Sequence, residues 1–140
     1  MDTDKSTMAQ KVAHAAIAFH TQRTGHAPKA VTVVLSGDTL VVTLHEALSP
    51  AERDLAKSPA GAAQVQEFHR QLFASSSGAL QQEIASITGV PLREAAAEVE
   101  AITGAVVHAF TTGTMVQVFL LAEPVSADAW NGSEGRQNDV

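Results

Sequence analysis

Met8, Val12, Ala15, Ala16 and Phe19 recur three and four positions apart, so they line one face of a helix. The alanine-rich stretch from Ser6 to Arg23 around them has high helix propensity. Gly25, with Pro28 soon after, ends this first amphipathic helix. The pattern then changes period. Val31 to Leu35 and Leu40 to His45 are rich in β-branched residues and flank Ser36-Gly37-Asp38-Thr39, the signature of a β-hairpin. Val31, Val33 and Leu35 share one face of the first strand, and Leu40, Val42 and Leu44 share one face of the second. One face of the hairpin therefore covers a core.

In Leu48-Ser49-Pro50-Ala51-Glu52, Ser49 can cap a helix, Pro50 fits its first turn, and Glu52 can return a hydrogen bond to the cap residue. A short helix starts there. Ser58-Pro59 repeats the start signal, and Val65, Phe68, Leu72, Ala79, Ile84 and Ile87 keep a helical stripe in phase as far as Gly89. The stripe predicts one long helix, Pro59 to Thr88, although Ser75-Ser76-Ser77-Gly78 lowers propensity in its middle and could break it. Leu92 to Glu100 has good helix formers but alternates in a strand-like way, and its surroundings favour a strand. Downstream, Val106 to Phe110 and Met115 to Leu121 flank Thr111-Thr112-Gly113-Thr114, a second hairpin signature, so the C-terminal half reads as a three-stranded meander. Aligning Gly37 with Gly113 places Val31 with Val107, Leu40 with Val116, Val42 with Val118 and Leu44 with Leu120, a hint of internal duplication.

These elements predict an α+β fold of two layers: an antiparallel sheet of four to five strands, with an N-terminal helix and a long central helix on one face. The 140 residues suit a single domain at 7–124, between a flexible N-terminus at 1–6 and a disordered or loosely docked tail at 125–140 that holds the only tryptophan, Trp130. Composition sharpens this. Of the 45% hydrophobic residues, 25 are alanines concentrated in the helices and in Ala95 to Ala97, while the larger apolar side chains concentrate in the hairpins. The net charge of -6 and the lack of any basic cluster argue against nucleic acid as a partner. With no Cys, there is neither a disulfide framework nor a cysteine nucleophile. The N-terminus lacks a signal-peptide pattern and no apolar run approaches the roughly 20 residues that span a bilayer, so a cytoplasmic protein without direct membrane insertion is expected.

Candidate chemistry is sparse. Six histidines are present, but His14 and His20 are six residues apart, which rotates them away from a shared helix face, and no HxxxH or HExxH occurs. His26, His45 and His108 are the candidate ligand-binding residues, because the sheet could bring them together. His69, beside Arg70 on the long helix, reads as a solvated surface residue. Glu94, Glu98 and Glu100 would share a strand face, a row more often solvated than cation-binding. There is no GxxxxGK[ST], GxGxxG or GxSxG. No catalytic residue, metal site or cofactor is assigned.

The Gly25-His26-Ala27-Pro28 turn, the Val31-to-Leu44 hairpin, Leu48-Ser49-Pro50-Ala51-Glu52 with Leu55 and Lys57, Gly61, the region of Arg70, Thr88-Gly89 and the strand Val116-Gln117-Val118-Phe119-Leu120 together resemble a small bacterial family. This is the Na+-translocating membrane-potential-generating system MpsC family, formerly of unknown function. The resemblance runs from Thr24 to Leu121. It departs at His26, in place of a small basic residue, and in a longer C-terminal meander. It implies a small cytosolic protein accessory to a membrane system that moves cations or inorganic carbon, with a membrane-transport protein as partner. The residues themselves point to a non-enzymatic binding or regulatory module that self-associates through its sheet or its long helix. The motive is that Val41, Val106, Phe110, Phe119 and Leu121 fall opposite the faces assigned to the core. The alternative is a metal- or anion-binding enzyme using His26, His45 or His108 with a glutamate.

Overall fold

A computed structural model describes residues 6–100 and 114–132. Thr7 opens the chain's first helix, α1 (Met8–Thr24), through a reciprocal cap: its hydroxyl accepts from Gln10 N–H at 3.1 Å while its own N–H donates to Gln10 Oε1 at 2.8 Å. Gly25, at φ 75°, closes it. The hairpin follows as β1 (Ala30–Ser36) and β2 (Thr39–His45), joined through Gly37 and Asp38. Only Gly37 of this pair has positive φ, 62°, the sign pattern of a II′ turn. Then come α2 (Pro50–Leu55), α3 (Pro59–Ser76), α4 (Gly78–Thr88), β3 (Leu92–Glu100), β4 (Thr114–Leu121) and a short α5 (Ala127–Trp130). The fold is α+β, as the sequence predicts.

The strands form one antiparallel sheet in the order β1-β2-β4-β3. Its inner face carries Leu40, Val42 and Leu44 from β2, Met115, Phe119 and Leu121 from β4, and Ala97 from β3, all buried. α3 lies along β3, where Ala95 and Ala97 are small enough to let a helix approach, and α1 lies against β1 and α4. Phe73 of α3 links the layers, meeting Phe19 edge-on at 6.1 Å and Phe119 at 5.9 Å.

Four sequence expectations meet a different outcome or boundary. First, the long central helix breaks at Ser77, whose ψ is 3°. Ser77 still donates to the Phe73 carbonyl and accepts from Gln81 N–H, so the break is a kink of one residue. Local chemistry favours it there, because the Ser75 and Ser76 hydroxyls both turn back onto the Leu72 carbonyl. Geometry favours it too: about 30 residues of straight helix would extend roughly 45 Å, well beyond strands of roughly 25 Å. The stripe nevertheless stays in phase, with Val65 and Phe73 before the kink and Leu80 and Ile84 after it all buried.

Second, β4 shows the core its other face. Phe119 and Leu121, expected to point outward, are fully buried, whereas Val116, Val118 and Leu120 face out and are half-buried. Leu40 pairs with Phe119, Val42 with Gln117 and Leu44 with Met115, so the set aligned through Gly113 is one residue out of step with the core. The alignment leaves Gln117 on the solvent side; the structure buries it fully, and among the described residues neither amide atom has a hydrogen-bond partner. Third, β3 pairs directly with β4, and the meander's middle strand, Val106 to Phe110, lies outside the described residues. Fourth, Trp130 is only 8% exposed and joins the core cluster, with α5 capped by Ser126 and packed on α1.

Replacing Gln117 with methionine keeps the volume and removes two unsatisfied buried polar atoms, and is expected to stabilise the protein by about 1 kcal/mol. Equilibrium urea unfolding measures it. Gly61→Ala should do the opposite. A Cβ there would lie 1.9 Å from the Leu55 carbonyl oxygen, so α3 would have to move off α2. The expected loss is about 1–3 kcal/mol in the same measurement.

Candidate functional site

The helical stripes that build the core also carry two histidines into it. His20 follows Ala16 by one turn on α1 and His69 follows Val65 by one turn on α3, and each ring is 1% exposed. After β2 the chain turns at Glu46, the only described non-glycine residue with positive φ (52°), and this drives Ala47 and Leu48 inward. The Ala47 carbonyl thereby accepts from His20 Nε2 at 2.8 Å. Five residues on, Glu52 works with both oxygens. Oε1 accepts from Ser49 N–H at 2.9 Å, closing the capping box of α2, and Oε2 accepts from His69 Nε2 at 2.7 Å. The two imidazoles stack with centroids 6.0 Å apart and planes 14° from parallel, and Phe68 sits edge-on to His69 at 5.1 Å. α1, α2 and α3 meet at this cluster.

Its electrostatics follow from burial and pairing. Burial pushes the Glu52 carboxyl up, but the hydrogen bonds from His69 and from Ser49 N–H outweigh it and bring the pKa down to about 2. Burial lowers the pKa of His20. The Ala47 carbonyl opposes that shift, neighbouring His69 reinforces it, and Glu52 and His26 act in opposite directions with smaller effect. His69 Nδ1 is buried, with no hydrogen-bond partner among the described residues.

Of the residues singled out in the sequence, His26 and His45 face partners outside this cluster. His26 Nε2 donates to the Glu46 carbonyl at 3.2 Å. His45, half-buried at the end of β2, shares a hydrogen bond with the Thr32 hydroxyl at 3.0 Å. His108 lies outside the described residues. Among the described residues no group of three or more His, Asp or Glu side chains is placed to hold a metal ion. Glu94, from the carboxylate row, is exposed.

The sequence predicts a solvated surface position for His69; the structure buries it. The signal was present in the spacing, since Ala16 to His20 and Val65 to His69 are each one helical turn from a core residue. Glu52 was recognised as a cap, but nothing local shows that its second oxygen points at another helix.

Beside the cluster, α2 and the start of α3 enclose a mostly apolar groove lined by Glu52, Leu55, Gln64, Val65 and Phe68. Leu55 and Phe68 are 47% and 52% exposed, two of the three most exposed large hydrophobic side chains among the described residues. The groove is firmly walled. Gly61 brings α3 against the Leu55 carbonyl, and Glu52 ties α2 to His69.

In comparison with known proteins, the family model described as "Na+-translocating membrane potential-generating system (MpsC)" matches residues 4–114. No curated protein and no solved structure matches the chain.

The cluster makes stability depend on pH with a definite sign. Both His20 and Glu52 bind protons less readily when folded, so both contributions weaken on acidification. The share from His20 is complete above its unfolded pKa of about 6.5 and fades as pH falls below it. The share from Glu52 is complete above 4.5 and is lost as pH falls towards about 2. Glu52→Gln preserves the cap, and it should cut the stability lost between pH 5 and pH 2 by about 2–3 kcal/mol. Urea midpoints at a series of pH values read this, and an unchanged acid limb in the variant would count against the pairing.

Proposed function

The chain belongs to the MpsC family, and from that premise we propose that it is a non-enzymatic accessory module of a Na+-translocating, membrane-potential-generating system, working by protein contact. Among the described residues no helix is long and apolar enough to cross a membrane. The reading assigns ion passage to a membrane protein partner, and contact with that partner, from the cytoplasmic side, to this chain. Self-association is part of the same reading.

The observation that carries it is the groove between α2 and α3. A pair of half-exposed large apolar side chains, Leu55 and Phe68, stands on a corner that Glu52, His69 and Gly61 hold in place. An ordered apolar groove of this kind suits the apolar stripe of a partner's helix, with anchors one turn apart. Preorganised walls reduce the ordering that binding would otherwise cost. Phe68 is the expected anchor, because aromatic side chains in ordered pockets carry a large share of interface energy.

Membrane vesicles from cells lacking this chain should develop a smaller Na+-dependent potential, read with a potential-sensitive dye, and purified wild-type protein should restore it. Phe68→Asp alters an exposed side chain and should leave the fold intact. About 30-fold more of it should be needed for the same recovery, the equivalent of an anchor worth about 2 kcal/mol. A potential indifferent to removal of the chain would overturn the reading.

A further inference from the structure

α1, α3 and α4 cover the inner face of the sheet, α5 borders its β1 edge beside Val34, and among the described residues no helix lies across the outer face. We propose that this outer face is the interface of a homodimer in which two copies pack sheet against sheet, related by a two-fold axis running along the strands. The inference deepens the self-association part of the reading above and rests on it.

The register lays the face out as a grid. One row runs Val34, Val41, Val118 and the Ala96 position across β1, β2, β4 and β3, and the next runs Ser36, Thr39, Leu120 and Glu94. Val34 is 52% exposed on the β1 edge, whereas Val41, Val118 and Leu120 are half-buried along the middle. Such a face of β-branched side chains packs well on another of its kind about 10 Å away.

The two edges differ in a way that makes the face its own complement. At the β1 edge Val34 projects between the small hydroxyl residues Thr32 and Ser36. The β3 edge has a hollow lined by Glu94, Ala95, Val118 and Leu120. A two-fold axis along the strands exchanges the edges and keeps the rows. Val34 of each copy then sits beside the hollow of the other, and Ser36 lies opposite the other copy's Glu94. An axis across the strands would instead stack β1 on β1 and β3 on β3, which leaves Val34 over the other copy's β1 and the hollow unfilled. A second copy thus meets the shape of this face.

Area sets the strength. Four strands about 4.8 Å apart and some seven residues long make a footprint of roughly 450 Å² per copy. That is roughly 900 Å² for the pair, below the roughly 1,200 Å² at which stable interfaces begin, so a weak dimer with a dissociation constant in the micromolar range is expected rather than an obligate one. The face is on the far side of the sheet from the Leu55–Phe68 groove, so the dimer leaves that groove open.

Sedimentation velocity on the full chain tests this, from about 1 to 500 µM, a range that brackets a weak specific interface. The expected result is a reversible monomer–dimer equilibrium that Val34→Lys weakens at least tenfold without lowering thermal stability. Ser36→Glu should also weaken it, and adding Glu94→Lys to that variant should restore it through a new pair of ion pairs between copies. Phe68→Asp should dimerise like wild type. A wild-type chain that stays monomeric at the highest concentration, or a Val34→Lys variant that dimerises normally, would overturn the dimer. Failure of Glu94→Lys to rescue Ser36→Glu would overturn the axis. A monomer whose Val34→Lys variant no longer restores the vesicle potential would give the face to the membrane partner and sink the second copy as its occupant. Loss of the dimer with the Phe68-dependent potential intact would leave the accessory reading standing.

Discussion

Water must be kept from one face of the sheet, and α1, α3 and α4 are arranged to do it. Antiparallel strands alternate their side chains, so sealing one face fixes the parity of every strand at once. Leu40, Val42 and Leu44 set it for β2, and the hydrogen-bonded register passes it to Met115, Gln117 and Phe119 on β4 and to Ala97 on β3. Side-chain size then follows from position in the layer. Where α3 runs close to β3 the sheet offers alanines, and Phe73 of α3 meets Phe119 of β4 between the layers. The same division exposes Val34 and leaves the outer face bare among the described residues.

Polar groups enter this layer under two different regimes. Glu52, His69 and His20 are tied to the backbone or to each other, and their burial joins three helices at one corner. Removing one member of such a set strands the others, which makes the corner rigid and brittle together. Gln117 has no such compensation, and the stability it forgoes has no counterpart in any contact described for it.

Much of the architecture was legible in the sequence because it rests on local signals. Ser49 and Ser58 start helices by capping chemistry readable from three or four residues, and Gly37 makes a tight turn in any setting. The alternation around Leu92 to Glu100 supported a strand despite good helix formers, since sheet neighbours override propensity. What escaped was non-local. β4 is apolar on both faces, so no local signal sets its parity, and an alignment of turn glycines could not supply what only the neighbouring strands decide. Whether the in-phase stripe or the serines governed residues 75–78 depended on the length of the sheet beneath. The candidate site was the least legible part: His20, Glu52 and His69 come from three elements, and only the assembled fold brings them together.

One feature at the end of the described chain has an optical consequence. Trp130 is the protein's only tryptophan, there is no tyrosine, and the indole is buried among core residues near the β1 edge. Ultraviolet emission excited at long wavelength therefore originates from a single ring on a four-residue helix. It monitors the docking of α5 on α1 separately from the integrity of the sheet. A red shift in emission at constant far-ultraviolet circular dichroism would signal that this segment had lifted while the rest of the fold stayed closed.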